Sequence, residues 1–298
     1  MSKAIILYEN MRTVVYVPFY LAIQRSDWAA VGIDVSVQTS PSTPETAQGL
    51  IDGRADVSWG GPMRVMLHHD KDRDCPLVCF AQVVARDPSI LVGRQPNGRF
   101  RFDDLAGLRG GAMTEVPTPW MTLQDDIRRA GVDLDSIRWT KDQSMAECAA
   151  ALRAGELDVV QIFEPHADAL VQGGHGHIWH RCAARGDSAW TSFYTTRSFT
   201  QAQPETCRAL VRGIERALAV LHAETPASVA ETVIDYFPDL SVEALARMID
   251  GYRLSGLWVR TTELGVEAFV RLKSAMISGG LISYDAPYDH LVVTDLPD

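Results

Sequence analysis

The chain has no excess of basic residues: 28 Lys and Arg stand against 38 Asp and Glu, a formal net charge of −10. Nucleic acids and anionic lipid surfaces are recognised through concentrated positive charge, and no stretch supplies it, so neither is an expected partner. No apolar run is long enough to span a bilayer, which argues against direct membrane insertion. Cysteine is scarce, five in 298 residues, and the odd number spread over the chain describes no disulfide framework. Cys75 and Cys79 read as a reduced core pair. There is no low-complexity segment, no GxxxxGK phosphate loop and no serine nucleophile elbow. Histidines gather once, as His175, His177 and His180, with a spacing that fits neither an HExxH helix nor a Cys/His finger. Gly173, Gly174 and Gly176 mark that stretch as a surface loop. No metal or other cofactor is therefore expected.

What is present is a unit written twice. TAQGLIDGRADVSWGGP (46–62) and ECAAALRAGELDVVQIFEP (147–165) each read as a helix ending at Gly, a short apolar run, and Pro opening a new helix. Gly53, Asp56 and Val57 recur as Gly155, Asp158 and Val159. Upstream, Gly32 and Asp34 are echoed by Gly131 and Asp133. An offset of about a hundred residues is too long for a solenoid repeat and predicts two similar α/β lobes with a ligand cleft between them. The length and a 46% hydrophobic content suit two domains with real cores.

The first lobe is read as strand 4–7, helix 18–30 stopped at Gly32, strand 34–38, helix 44–52 capped by Thr43, strand 57–59, helix 62–70 and strand 77–84. The second has strand 109–113, helix 119–130, strand 137–140, helix 145–154, strand 159–163 and helix 165–171. Strand 189–196 then leads back. Single helices between strands predict a mostly parallel sheet in each lobe. From Pro204 onward apolar residues at helical spacing predict a helical tail on the first lobe. The expected division is 1–88 plus 196–298 for lobe 1 with its tail, and 89–195 for lobe 2.

Open parallel sheets bind ligands at the carboxyl ends of their strands. The loops there are YENMRTVVYVP, TSPSTP, WGGP, MTEVPTP and FEP, each closing on a Pro at a helix start that leaves backbone N–H groups unpaired. Such starts favour anions or polar acceptors, although they are also the ordinary capping of any α/β protein.

The ordered series YLAIQRSDWAAVGIDVSVQ, GRADVSWGGP, LAGLRGGAMTEVPTP, AGVDLDSI and AGELDVVQIFEPHA resembles the solute-binding proteins of the nitrate, sulfonate, taurine and thiamine-pyrimidine precursor group over nearly the whole chain. The resemblance implies a type II periplasmic-binding fold, capture of a small-molecule ligand, and delivery to the membrane permease of an ABC importer. It places the protein in the periplasm where an export signal has been removed. MSKAIILYEN itself lacks the apolar core and cleavage site of such a signal, and without one the location is cytoplasmic. A monomer is expected.

Among the cleft loops, Arg12 is a candidate for holding a carboxylate or sulfonate in bidentate fashion, against the alternative of a solvated surface arginine. Asn10 and Tyr16 add hydrogen-bonding groups. Trp59 is a candidate to stack on a planar ligand, or a core tryptophan at a strand end, while Gly60 and Gly61 permit close backbone approach. Phe163 and Trp190 carry the same dual reading. Ser42, Thr43 and Thr118 complete the set with hydroxyls. Glu115 and Glu164 oppose an anion and suit an amine or aminopyrimidine better, or else are helix-start carboxylates. The resembled group includes a thiamine-pyrimidine synthase with a lysine-linked cofactor and a cysteine cluster, and a desulfinase with a nucleophilic cysteine. Here VSWGGPMR has no lysine, no cysteines are adjacent, and the first loop has none. The expectation is a binding protein without catalysis, with a cytoplasmic enzyme or ligand sensor of the same fold as the alternative.

Overall fold

Residues 4–296 are described by the computed structural model; the side chains of Thr43 and Pro44 lie outside the described set. The described strands are β1 (Ile5–Glu9), β2 (Val35–Thr39), β3 (Val57–Gly60), β4 (Leu77–Val84), β5 (Ile90–Gly93), β6 (Arg109–Met113), β7 (Arg138–Gln143), β8 (Val159–Ile162), β9 (His177–Arg181) and β10 (Thr191–Thr196). They form two five-stranded sheets in the orders β2-β1-β3-β10-β4 and β7-β6-β8-β5-β9. The orders correspond position by position, β1 with β6 and β3 with β8. In each sheet four strands run in one direction, and the fourth in the row runs antiparallel to both neighbours. Each sheet is thus mostly parallel, as the sequence pattern predicts, with one strand reversed. The reversed strands are the two next to the chain crossings: β5 opens unit 2 and β10 follows the return to unit 1, so neither is delivered by a βαβ crossover within its own sheet.

Two compact units result. Unit 1 holds the residues up to Ala85, Ser188–Lys273 and those from Ile282 onward; unit 2 holds Arg86–Asp187 and Ser274–Leu281. The crossings fall earlier than the sequence pattern suggested. Ser188 N–H already donates to Ala85 O at 2.6 Å, and β10 pairs with β3 and β4, which commits the whole strand to unit 1. The tail is shared as well, since the last turn of the helix Val266–Ser278 groups with unit 2.

The repeated anchors perform the same local task twice. Asp56 N–H donates to Ile6 O at 2.9 Å and its Oδ2 accepts from Ile6 N–H at 2.8 Å. Asp158 N–H donates to Arg109 O at 2.8 Å and its Oδ2 accepts from Arg109 N–H at 3.0 Å. Each carboxylate thus closes the ladder between the first and third strands at its amino end. The preceding helices end alike: Ala55 and Arg54 donate to Gly49 O, as Leu157 and Glu156 do to Ala151 O, after glycines at φ +71° and +77°. That left-handed turn explains Gly53 and Gly155.

Elsewhere the local reading shifts. Helix 18–30 is two helices, Val17–Gln24 and Asp27–Ala30, broken at Ser26, which sits at φ +55°. The break lets Trp28 pack on the tail: its Nε1 donates to Leu210 O at 3.1 Å, and a Cβ at Gly213 would come within 2.0 Å of its ring. Helix Thr43–Ile51 is capped by Ser42, whose Oγ accepts from Glu45 N–H, and not by Thr43. The histidine stretch expected to be a loop is mainly β9, an edge strand paired with β5, because Trp179 packs over Gly93 where a Cβ would clash at 1.8 Å. In unit 1 the tail helix Pro204–Ala223 buries Leu210, Ile214, Leu218 and Leu221 as the spacing predicts. Trp258 Nε1 donates to Val15 O at 2.9 Å. All five cysteines are free and buried. Among the described residues no helix is long and apolar enough to cross a membrane, and no cluster of metal-ligating side chains occurs.

Asp158 is held well below the usual carboxylate range, chiefly by its hydrogen bonds to Arg109. A depressed acid contributes stability above its unfolded value that disappears as pH falls through the folded one. Asp158→Asn should therefore unfold in urea with about 1–2 kcal/mol less stability at neutral pH, and the deficit should shrink toward about pH 2. A deficit that does not change with pH would remove the carboxylate's assigned role.

Candidate functional site

In unit 1 the carboxyl ends of β1, β2 and β3 lie on the same edge of the sheet as the start of β10, since Ser192 is paired with Gly60. Asn10, Tyr16, Gly60, Gly61 and Trp190 gather at this edge. Arg12 belongs to the same loop, but its guanidinium is spent internally. Its Nε and Nη2 donate to Glu9 Oε1 and Oε2 at 3.0 and 2.9 Å, and it lies beside the stacked rings of Tyr20 and Tyr236, 5.3 and 5.2 Å from their centroids. Glu9 is 1% exposed and also accepts from the Tyr20 hydroxyl at 2.5 Å. Burial and Glu9 drive the Tyr20 phenol well above its ordinary value. The fork that suggested a ligand carboxylate is satisfied by one from the chain itself.

Trp59 is fully buried, with its ring stacked on Phe19 at 4.3 Å and edge-on to Tyr16 and Tyr20. The structure places it in the core. Gly60 and Gly61 are small for an internal reason too, because a Cβ would meet the Tyr194 ring at 3.1 Å at the first and Trp190 O at 3.1 Å at the second. Trp190 is 8% exposed and pairs through its N–H with Val84 O. Ser42 acts as a helix cap, and Thr43 is outside the described side chains.

The residue that sequence reasoning passed over is Arg64. It stands in the first turn of the helix Pro62–Lys71, directly after Gly60 and Gly61, and is buried at 7% exposure. Tyr16 and Tyr194 both lie in its field. Burial pushes Tyr16 up to about 12, opposed by Arg64 and by the neighbouring Thr191 and Asn10. Burial raises Tyr194 as well, again opposed by Arg64. Asn10 Oδ1 and Ser192 Oγ are buried without a hydrogen-bond partner among the described residues. An enclosed guanidinium, two phenols and unsatisfied polar atoms are what a desolvated polar or anionic group needs around it. The signal was legible as a cation in the first helical turn opened by the GGP loop.

In unit 2 the carboxyl ends of β6, β7 and β8 carry the remaining candidates. Glu115 Oε1 accepts from Met145 N–H at 2.8 Å at the start of the helix Met145–Ala154, while its Oε2 is buried without a partner. Glu164, 5% exposed, accepts from Asp168 N–H at 2.8 Å at the start of the helix His166–Gln172. Both acids thus serve helix starts. Phe163 and Thr118 are buried at 4% and 7%. His166 is near Glu115 and is lowered by burial. No described cysteine has an activated thiol: burial raises all five, Cys148 and Cys207 to about 12.

The profile described as NMT1/THI5 like matches residues 13–227. A Bacillus subtilis (strain 168) protein named "Putative binding protein YtlA" is 23% identical over 97% of this chain and 87% of its own length. Among solved structures, the periplasmic aliphatic sulphonate binding protein SsuA from Escherichia coli matches with a TM-score of 0.80 at 14% identity, covering 99% of this chain and 93% of that one. The desulfurization enzyme DSZB matches with a TM-score of 0.71 at 13% identity, covering 99% and 97%. These structures share the two-lobed α/β fold with this chain.

Removing the Arg12 guanidinium leaves the buried Glu9 carboxylate without its counter-charge. Arg12→Ala should lower unfolding free energy by about 1–3 kcal/mol, and Arg12→Lys should recover only part, since an ammonium cannot reproduce the fork. An unchanged urea midpoint for Arg12→Ala would return this arginine to ligand binding.

Proposed function

The chain belongs to the NMT1/THI5-like family, and from that premise we propose that it is the substrate-binding component of an ABC-type importer, capturing a small organic solute and delivering it to a membrane permease. The observation that carries this reading is the buried Arg64 beside Tyr16 and Tyr194 at the carboxyl edge of the first sheet. A buried guanidinium whose charge acts on two phenols favours a solute with an acidic head, a sulfonate or carboxylate, over a bare amine. Glu115 and Glu164 each accept a helix-start N–H, which offsets part of their charge and lessens the objection to an anion. Asn10 and Ser192 would take the remaining polar atoms of the solute. Thr118 and Phe163, buried at the carboxyl edge of the second sheet, are kept as further proposed ligand contacts.

A second reading, an enzyme or ligand sensor of this fold, is kept in view by the similarity to the desulfurization enzyme DSZB. Recovery of the bound compound separates the two. A genuine cargo leaves unchanged; a substrate accumulates as product over many turnovers.

A thermal-shift screen of sulfonates, carboxylates, pyrimidines and aromatic amines should give its largest shift with an acid. At about 100 times the dissociation constant the stabilisation should be about 2.7 kcal/mol. Arg64→Ala should weaken that acid by about 1–3 kcal/mol in calorimetry. Tightest binding by an uncharged amine or pyrimidine, with no effect of Arg64→Ala, would overturn the assignment of the site.

A further inference from the structure

In unit 2 three carboxylates converge on one guanidinium. Arg185 donates to Asp125 and to Asp126, and its Nη1 also reaches Thr122 O at 3.3 Å. Thr122 Oγ1 donates to Asp87 Oδ2 at 2.6 Å, and the other oxygen of Asp87 accepts from the N–H and Oγ of Ser89 at 2.8 and 2.6 Å. Asp125 also accepts from Ser278 Oγ at 3.3 Å and from Arg129 Nε at 2.7 Å. Asp87 is 2% exposed, and the side chains of Asp125, Asp126 and Arg185 are 10%, 15% and 5% exposed. Arg129 is 63% exposed and so compensates weakly. The enclosed charge is negative in excess.

The position of the cluster gives it significance. Asp87 follows the first passage of the chain between units, Arg185 precedes the second, and Ser278 lies in the tail segment Ser274–Leu281 that joins unit 2. All three bond to one helix, Thr118–Arg129. Two further groups border the cluster. Cys182 faces Asp87 and Asp126, but burial keeps its thiol neutral. Arg86 and Asp187 pair at 2.8 Å with both side chains reaching solvent.

Excess charge in a dry site is relieved most cheaply by binding a proton. We infer that the Asp87–Asp125–Asp126–Arg185 cluster is a proton-sensitive fastening, which takes up one proton on mild acidification and then holds the chain crossings more firmly than at neutral pH. Burial, and after it the neighbouring Asp87, push Asp126 up to about 6 against the pull of Arg185. Burial raises Asp87 in the same direction. An acid raised on folding binds more protons folded than unfolded, so its contribution is present in acid and is lost as pH rises through the folded value. The two carboxylates titrate as a pair.

Side-chain carboxyl NMR of the wild-type protein, labelled with carbon-13 at aspartate, tests this without a ligand. One aspartate should titrate near about pH 6, well above the ordinary carboxylate range, and that signal should vanish in Asp126→Asn. Hydrogen exchange corrected for its intrinsic pH dependence should be about tenfold slower over residues 86–89 and 182–187 at about pH 5 than at about pH 7.5. In Asp126→Asn it should be equally slow at both. The inference fails if no aspartate titrates above about pH 5, if wild-type exchange over these segments is the same at both values, or if Asp126→Asn keeps the wild-type pH dependence. The first two readings use only the wild type, so they stand whether or not the variant folds.

Discussion

Both halves of this protein depend on one interaction, an aspartate at the mouth of the third strand whose carboxylate accepts the amide proton of the first. Asp56 and Asp158 each make it, and each returns its own N–H to the same residue, Ile6 or Arg109. A helix that ends at a left-handed glycine delivers the aspartate to that place. Parallel strands cannot be joined by a tight turn, so register between them must be set by something other than the connection. Here a side chain sets it. With the amino end of the ladder closed, the carboxyl ends, and the loops they carry, take defined positions.

The two edges of each sheet are therefore divided between structure and chemistry. The repeated residues work at the amino edge, while the carboxyl edge is where the halves differ. Gly61 and Arg64 have no counterpart in function at Glu164, which serves a helix start. Similar scaffolds with different loops are how one fold supports many ligands, and for the same reason likeness of fold to SsuA or DSZB does not transfer a ligand or a reaction to this chain.

Charge inside the molecule follows a consistent rule. Glu9 is buried with a bidentate arginine and a phenol, and is matched; the Asp87, Asp125 and Asp126 group is buried around a single enclosed arginine, and is not. A matched pair holds a loop in place. An unmatched one leaves a proton to be gained, which is why the inference of pH sensitivity attaches to the second cluster and not to the first.

The sequence by itself determined the paired architecture, because glycine and aspartate anchors at equal spacing impose the same turn and the same strand start wherever they occur, and helical spacing in the tail marks its buried stripe. It also exposed the carboxyl-end loops as a group. Only the tertiary structure decided what each loop residue does. Arg12 and Trp59 look like ligand groups in a list of residues, yet Glu9 takes the first and Phe19 the second, and those partners are set by packing between elements that no local pattern describes. Arg64 stands out only once the fold buries it with its charge acting on Tyr16 and Tyr194. Strands β5 and β9 are not read from the sequence, although β10 and β4, which hold the same positions in the other sheet, are. Local sequence encodes turns, caps and faces; the partner of a long polar side chain is a property of the folded neighbourhood.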